Sequence, residues 1–144
     1  LQLTDICVPN ETELEMLTGS AATNLEMVES AARMLLKRGP GTVVVTLGGN
    51  GSLTVTAQET LHVPAPLVNA LDPSGAGDAF IGALGVFLAE GLPLYDAVRR
   101  ANAVAALSVT RLGTQSTYPS RAEAEMFFSN TCRKSTPGKQ EKDG

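Results

Sequence analysis

Residues 72–78 read Asp-Pro-Ser-Gly-Ala-Gly-Asp, and an apolar run begins directly behind them. Two carboxylates flank small residues, which allow a backbone to approach a ligand closely. The apolar run predicts a helix over residues 79–90, and the N–H groups at the start of a helix attract anions. An acid beside such an anion site suits a reaction in which an alcohol loses a proton as it attacks a phosphate. A glycine-rich turn capped by an aspartate is the alternative interpretation.

The composition is that of one globular domain. The chain has 144 residues, of which 43% are hydrophobic and 18% charged, enough to bury a single core. Its formal net charge of −4 argues against nucleic acid or an anionic membrane as a partner. Cys7 and Cys132 lie at opposite ends, so we expect no disulfide framework. We expect a soluble cytoplasmic protein, with a nuclear location as an alternative.

The two ends of the chain differ in character. The first residue is Leu1, and a strand-like segment, residues 5–9, follows almost at once. A domain rarely starts inside an element, so we expect this sequence to be part of a longer polypeptide. Residues 133–144 have no apolar periodicity and are predicted to form a disordered tail. The folded domain is therefore expected to span residues 1–132.

Asn10 and Glu13 stand at the start of a predicted helix that Gly19 ends. Their spacing is that of a capping box, in which each side chain bonds the backbone of the other residue. Both side chains also carry oxygen atoms that suit a phosphate-bound Mg²⁺ ion, reached through water. The capping interpretation is favoured when these two residues are considered by themselves.

Two strand-like runs surround a glycine-rich turn. Residues 42–47 are β-branched and apolar, which is typical of a parallel strand covered on both faces. Residues 52–57 alternate between apolar and polar, which predicts a half-buried strand. The turn between them, residues 48–51, is either a hairpin connection or a loop that holds nucleotide phosphates at the carboxyl end of a strand.

The C-terminal third combines small residues with isolated polar ones. Gly82 and Gly85 weaken the helix over residues 79–90, which suggests a close contact between that helix and the sheet. An alanine-rich helix is predicted over residues 94–110, with Asn102 either buried and hydrogen-bonded or in contact with a base. Residues 111–119 are rich in hydroxyl and carbonyl oxygens, which suits either an alkali cation or an ordinary polar loop. A last short helix is predicted over residues 121–128.

Four motifs in one order resemble the ribokinase branch of the ribokinase/pfkB sugar-kinase family. Residues 72–78 are similar to its D-T-x-G-A-G-D signature, with Pro73 in place of the usual Thr. Residues 10–13 resemble its N-x-x-E motif, and residues 46–51 resemble its T-L-G-x-x-G nucleotide loop. Residues 113–117 resemble its monovalent-cation and adenine loop. The resemblance covers residues 5–119.

The resemblance implies ATP-dependent phosphorylation of D-ribose at the 5-hydroxyl, with Mg²⁺ and K⁺ as cofactors. It gives Asp78 the role of general base in contact with the sugar, and it places an anion hole at the backbone N–H groups of Gly75, Ala76 and Gly77. The residues it assigns to ATP and Mg²⁺ are Asn10, Glu13, Thr46, Leu47, Gly48, Gly49, Asn50, Gly51, Gly77, Asp78 and Asn102. Those it assigns to K⁺ are Asp72, Ser74, Ser108, Arg111, Gly113 and Thr117, with Arg111 acting through its carbonyl.

The expected fold is a three-layer α/β/α sandwich with a mostly parallel sheet, ribokinase-like and incomplete at its N-terminus. Family members carry a further N-terminal half, with the sugar-contacting residues and a lid through which a homodimer would form. Another pfkB sugar kinase, such as a fructokinase, is the nearest alternative function. A nucleotide-binding fragment without catalytic activity, or a truncated isoform, is the alternative from a different class.

Overall fold

The computed structural model of the chain describes residues 3–111 and 119–134, and only the backbone of residues 132–134. This part of the chain contains four strands and five helices, with a single 3₁₀ turn at Gly48–Asn50. In order they are β1 (Ile6–Cys7), α1 (Glu11–Thr18), α2 (Leu25–Leu36), β2 (Thr42–Thr46), β3 (Ser52–Thr56), β4 (Thr60–Val63), α3 (Ala76–Ala89), α4 (Leu94–Ser108) and α5 (Arg121–Lys134).

The described strands form one mixed sheet in the order β1-β2-β3-β4. β1 and β2 are parallel, whereas the β2–β3 and β3–β4 pairings are antiparallel. The expectation of a mostly parallel sheet therefore does not hold for these four strands. The reason is the length of the connections, because a parallel crossover requires a dozen or more residues and only short turns join β2 to β3 and β3 to β4.

Helices cover both faces of the sheet. Val43 and Val45 of β2 pack with α1 and α2 in one apolar core, whereas Val44 between them packs with α3 and α4 in the other. All three valines are fully buried. This confirms the three-layer α/β/α arrangement and the prediction of a strand covered on both sides.

β3 was expected to be half-buried, and that prediction was wrong. Leu53 and Val55 belong to the core beneath α2, and the polar residues that alternate with them, Ser52 and Thr54, are buried as well. The polar face is covered because α4 lies over it and supplies a polar side chain, Asn102, as a partner. Alternation of polarity indicated the two faces correctly but could not indicate that both were covered.

The expected contact between the glycines of α3 and the sheet is also absent. A Cβ atom at Gly82 or Gly85 would have nothing within 4 Å, and both residues are exposed. The face of α3 that packs inward carries Phe80, Leu84 and Phe87 instead. The helix thus reaches the sheet mainly through large side chains, and its two glycines face outward.

α5 extends to Lys134, beyond the predicted limit at residue 128, so residues 133 and 134 continue a helix rather than belong to the tail. Phe128 on this helix lies under two arginines of α4, with the guanidinium carbons of Arg99 and Arg100 at 5.2 and 4.9 Å from its ring centroid. α5 is therefore attached to α4. Residues 135–144 lie outside the described part of the chain. Among the described residues, no helix combines the length and the apolar character needed to cross a membrane.

Candidate active site

The motif at residues 72–78 forms the start of α3. The helix begins at Ala76, three residues before the predicted start, and Gly75 precedes it with a φ of +78°, a conformation in which glycine is favoured. Asp78 therefore lies in the first turn rather than ahead of the helix. The N–H of Ala76 donates a long bond of 3.3 Å to the carbonyl of Pro73. The N–H groups of a first turn have no intrahelical acceptor, which gives this turn its capacity to bind an anion.

A cavity of about 360 Å³, here called the acidic cavity, joins this turn to the other sequence motifs. It is lined by residues from three separate motifs, among them Asn10, Glu13, Thr46, Gly48, Gly77 and Asp78. The edge of the sheet brings them together, because β1 and β2 are parallel and Asn10, which lies beyond the carboxyl end of β1, forms a bridge with Thr46, the last residue of β2. The arrangement follows the rule that ligands of open α/β sheets bind outside the carboxyl ends of the strands.

Asn10 and Glu13 form the predicted capping box. The N–H of Glu13 donates to Asn10 Oδ1 at 2.8 Å, and the N–H of Asn10 donates to Glu13 Oε2 at 2.9 Å. Both side chains are exposed toward the cavity that they line. The structure thus supports the capping interpretation, while a carboxylate with about four lone-pair directions keeps further capacity after one such bond.

The acidic cavity is rich in negative charge. Glu11, Glu13 and Asp78 contribute carboxylates to it, and its described lining includes no lysine or arginine. A polyphosphate entering such a cavity would be repelled unless a cation accompanied it. Asparagine and carboxylate oxygens are the ligands that a hard divalent cation prefers, usually with several waters retained. In the described part of the chain no three acidic, histidine or cysteine side chains lie close enough together to hold a metal ion by themselves.

A second cavity of about 390 Å³, here called the apolar cavity, adjoins the first at Thr46, Gly48 and Gly77. The glycine loop lies along it, with Gly48 and Gly51 at φ values of +56° and +89°. Its walls are otherwise mainly apolar and come from the segment after β4, from α3 and from α4. A mainly apolar cavity beside a charged one suits a ligand with a flat ring at one end and phosphates at the other. Leu47 is 5% exposed and belongs to the core, so its side chain supports the loop from behind.

Asn102 lies on the wall of the apolar cavity and is 4% exposed. Its amide nitrogen donates to Ser52 Oγ and to the carbonyl of Val63, both at 3.0 Å. Both donor positions of the amide are therefore used by β3 and β4. The structure supports the buried, hydrogen-bonded interpretation and at the same time places the residue beside the cavity.

We expect Asn102→Ala to lower the free energy of unfolding by about 1–3 kcal/mol, because Ser52 Oγ and the Val63 carbonyl would lose their buried donor. Thr54→Val is the matched control. Thr54 Oγ1 is the one buried side-chain polar atom without a partner among the described residues, so removing it is expected to be neutral or stabilising. Urea unfolding of both variants measures the difference, and equal losses would contradict this account.

Of the residues assigned to K⁺, the four that the structure describes lie where the segment before α3 meets the end of α4. The N–H of Ser74 donates to Asp72 Oδ1 at 2.9 Å, and the N–H of Asp72 donates to the carbonyl of Val109, just after α4. Ser108 is buried, and its hydroxyl donates to the carbonyl of Ala105 in its own helix. Gly113 and Thr117 lie outside the described residues.

Arg111 stands at the end of α4, and its guanidinium pairs with Glu123 of α5. Glu123 also accepts the N–H of Ser120 at 2.8 Å. Hydrogen bonds from Ser120 and Arg111 lower the pKa of the Glu123 carboxyl to about 2, so it stays ionised at neutral pH. The side chain of Arg111 is thus engaged elsewhere, which leaves its carbonyl as the group that could face a cation. Sequence reasoning missed Glu123, because nothing in a surface helix distinguishes one glutamate from its neighbours.

Comparison with known proteins gives a consistent result. The sequence model described as pfkB family carbohydrate kinase matches residues 1–121. Deoxyribokinase of Salmonella typhi is 44% identical over 125 residues, covering 87% of this chain and 41% of that protein. Mouse ribokinase is 43% identical over 121 residues, covering 81% of this chain and 38% of that protein. The chain therefore spans about two fifths of the length of these relatives.

Solved structures agree. A ribokinase from Thermotoga maritima has a TM-score of 0.84 at 44% identity and covers 90% of this chain and 43% of its own. Arabidopsis thaliana ribokinase, solved with ribose and ATP, has a TM-score of 0.82 at 33% identity, and the match covers 86% of this chain and 40% of that one. Phosphofructokinase-2 from Escherichia coli, solved with potassium, has a TM-score of 0.79 at 29% identity, and the match covers 90% of this chain and 41% of that one.

Proposed function

Because the chain belongs to the pfkB family of carbohydrate kinases, we propose that the protein containing it transfers the γ-phosphoryl group of ATP to the 5-hydroxyl of D-ribose. The observation that carries the proposal is the acidic cavity, in which the N-x-x-E motif, the glycine loop and the first turn of α3 meet. The adjoining apolar cavity has the position and lining expected for the adenine.

Asp78 is the general base in this proposal. Its carboxylate accepts the proton of the sugar hydroxyl while the hydroxyl oxygen bonds to the γ-phosphorus and the bond from that phosphorus to the β–γ bridging oxygen breaks. Ribose 5-phosphate and ADP leave, and the proton stays on Asp78 until solvent removes it. Asp78 lines the acidic cavity and is exposed to it, which is the position that this role requires.

The first turn of α3 provides electrostatic stabilisation. Backbone N–H groups of Gly75, Ala76 and Gly77 would point at the charge that develops on the transferred phosphoryl oxygens. Ala76 would have to give up its long bond to Pro73 to contribute fully. At Gly77 a Cβ atom would meet nothing within 4 Å, so the space in front of this turn is open for a phosphate.

Two cations fit the donor groups. Asn10 and Glu13 would hold Mg²⁺ through water, and the ion would offset the repulsion between the triphosphate and the carboxylates of the cavity. Asp72 and Ser74 would hold K⁺ together with Ser108, the carbonyl of Arg111 and residues 113 and 117. Ser108 would take part through its hydroxyl oxygen, because that hydroxyl donates its hydrogen to the Ala105 carbonyl and keeps its lone pairs for a cation.

A second acceptor, 2-deoxy-D-ribose, is supported by the 44% identity to a deoxyribokinase. The two sugars differ in one hydroxyl, and a site built to bind that hydroxyl would strongly reject the deoxy sugar. Among other pfkB sugar kinases, a fructokinase remains the alternative enzyme. A nucleotide-binding fragment without activity remains the alternative outside catalysis.

A graft tests the proposal, in which residues 1–121 replace the matching region of the Thermotoga maritima ribokinase. We expect ATP-dependent phosphorylation of ribose by the graft and binding of ATP, measured by equilibrium dialysis, by the chain alone. The choice between ribose and fructose is measured in the full-length protein that contains this chain, because the sugar-contacting residues are expected in its N-terminal half; turnover of fructose but not ribose there would favour the fructokinase. ATP binding without turnover of any sugar would favour the inactive fragment.

The substitution Gly77→Ala tests the anion site without disturbing the stability of the fold. The added methyl group would occupy the open space in front of the first turn, so we expect ATP affinity and turnover to fall by at least tenfold without loss of stability. Gly85→Ala is the matched control, since it adds a methyl group to the same helix at an exposed position away from both cavities described above. Equal ATP affinity in the two variants would contradict a phosphate site at Gly77.

A further inference from the structure

The segment that leads into the catalytic motif, residues 71 and 72, is hydrogen-bonded to the end of α4. The N–H groups of Leu71 and Asp72 both donate to the carbonyl of Val109, at 2.7 and 3.1 Å. Three residues beyond Asp72, the chain turns through Gly75 into the first turn of α3. The position of the Val109 carbonyl therefore determines where residues 71–75 can lie.

Two of the backbone hydrogen bonds at the end of α4 are long, although the hydroxyls of Ser108 and Thr110 each donate to a carbonyl of the helix at 2.7 Å. The N–H of Val109 reaches the carbonyl of Ala105 at 3.4 Å, and the N–H of Arg111 reaches that of Ser108 at 3.4 Å, both at the long limit of a hydrogen bond. A helix end of this kind frays unless another group fixes it.

Glu123 of α5 reaches this end of α4 through Arg111. One of its oxygens accepts from the guanidinium of Arg111, and the other accepts the N–H of Ser120 at 2.8 Å, so the carboxylate joins the end of α4 to the start of α5. α5 in turn is held on α4 by Phe128 beneath Arg99 and Arg100. Glu123 lies beyond residue 121, where the match to the family ends.

We propose that Glu123 is a positioning residue, which holds the end of α4 through Arg111 and thereby fixes the segment that carries Asp72 into the catalytic turn. The inference rests on the proposed function for its effect on catalysis, whereas its structural part is independent of any activity. Arg111 and Glu123 are both partly exposed, so the pair contributes little to global stability, and its effect is local.

The test compares Glu123→Gln with Glu125→Gln in the full chain by amide hydrogen exchange. Glu125 is the matched control, because it lies on the same helix and pairs with Arg121 rather than with α4. We expect exchange at Leu71 and Asp72 to rise several-fold in Glu123→Gln and to stay unchanged in Glu125→Gln, with exchange within β2 unchanged in both. Unchanged exchange at Leu71 and Asp72 in Glu123→Gln, or an equal rise across β2, would overturn the proposal.

Arg111→Ala provides the second measurement. If the two residues act as one unit, the double variant with Glu123→Gln should show no more exchange at Leu71 and Asp72 than Arg111→Ala alone. Additive effects would overturn the proposal.

In a graft extended to residue 134, we expect Glu123→Gln to lower kcat several-fold while the KM for ribose stays unchanged. An inactive parent graft would count against the proposed function, and the exchange result would still decide the role of Glu123.

Discussion

Replacement of Asp78 by Asn is expected to lower the rate of phosphoryl transfer by about 10²–10⁴-fold, the usual contribution of a general base. The amide has nearly the shape of the carboxylate but cannot accept the proton of the attacking hydroxyl. ATP should still bind, because the first-turn N–H groups and the apolar cavity are unchanged. The measurement is ADP release by the graft at saturating ribose, with ATP affinity determined separately.

Asp96→Asn is the control for this experiment. Asp96 lies in the first turn of α4, as Asp78 lies in the first turn of α3, and it forms a long ion pair of 3.9 Å with Arg99. The control should retain the parent rate. If Asp78→Asn keeps a rate within twofold of the parent, Asp78 is not the general base. If the variant loses ATP binding together with its rate, Asp78 binds the nucleotide instead.

Gly51→Ala is expected to cause the largest loss of stability of any single substitution considered, at least about 3 kcal/mol. A Cβ atom at this position would lie 2.1 Å from the carbonyl oxygen of Val63 and 2.6 Å from the backbone nitrogen of Ala65. Both contacts are with backbone, which cannot move aside as a side chain can. The φ of +89° adds strain for any residue with a side chain.

Gly49→Ala separates this effect from a general intolerance of the loop. Gly49 lies two residues earlier in the same turn, a Cβ atom there would meet nothing within 4 Å, and its φ is not positive. We expect its midpoint of urea unfolding to stay close to that of the parent chain. A loss in Gly49→Ala as large as that in Gly51→Ala would indicate a general intolerance of the loop, and a small loss in both would show that movement of the loop relieves the crowding at Gly51.

The layer arrangement could be predicted from the sequence because its causes are local. The apolar run at residues 42–47 requires cover on both faces, and the helical periodicities on either side of it supply that cover. The capping box was predictable for the same reason, since Asn10 and Glu13 are only three residues apart. The pfkB family could be predicted from four motifs of only a few consecutive residues each, and the match to the family over residues 1–121 confirmed it.

Features that depend on distant residues could not be predicted. The burial of Ser52 and Thr54 depends on α4, about fifty residues along the chain, and the outward position of Gly82 and Gly85 depends on which face of α3 carries its phenylalanines. Glu123 was missed for the same reason. Its importance comes from the distant Arg111 and from the carbonyl of Val109, and a backbone acceptor leaves no trace in the sequence.

The capping box also affects the thermodynamics of ligand binding. Long side chains such as that of glutamate lose rotamer freedom when they are fixed, at a cost of up to about 1.5–2 kcal/mol. In this chain the two reciprocal bonds hold Asn10 and Glu13 in one conformation before any ligand arrives. The entropy of ordering these groups is thus lost when α1 folds rather than when a ligand binds. The helix cap therefore preorganises the acidic cavity. The affinity of any ligand for this cavity is coupled to the stability of the eight-residue helix α1.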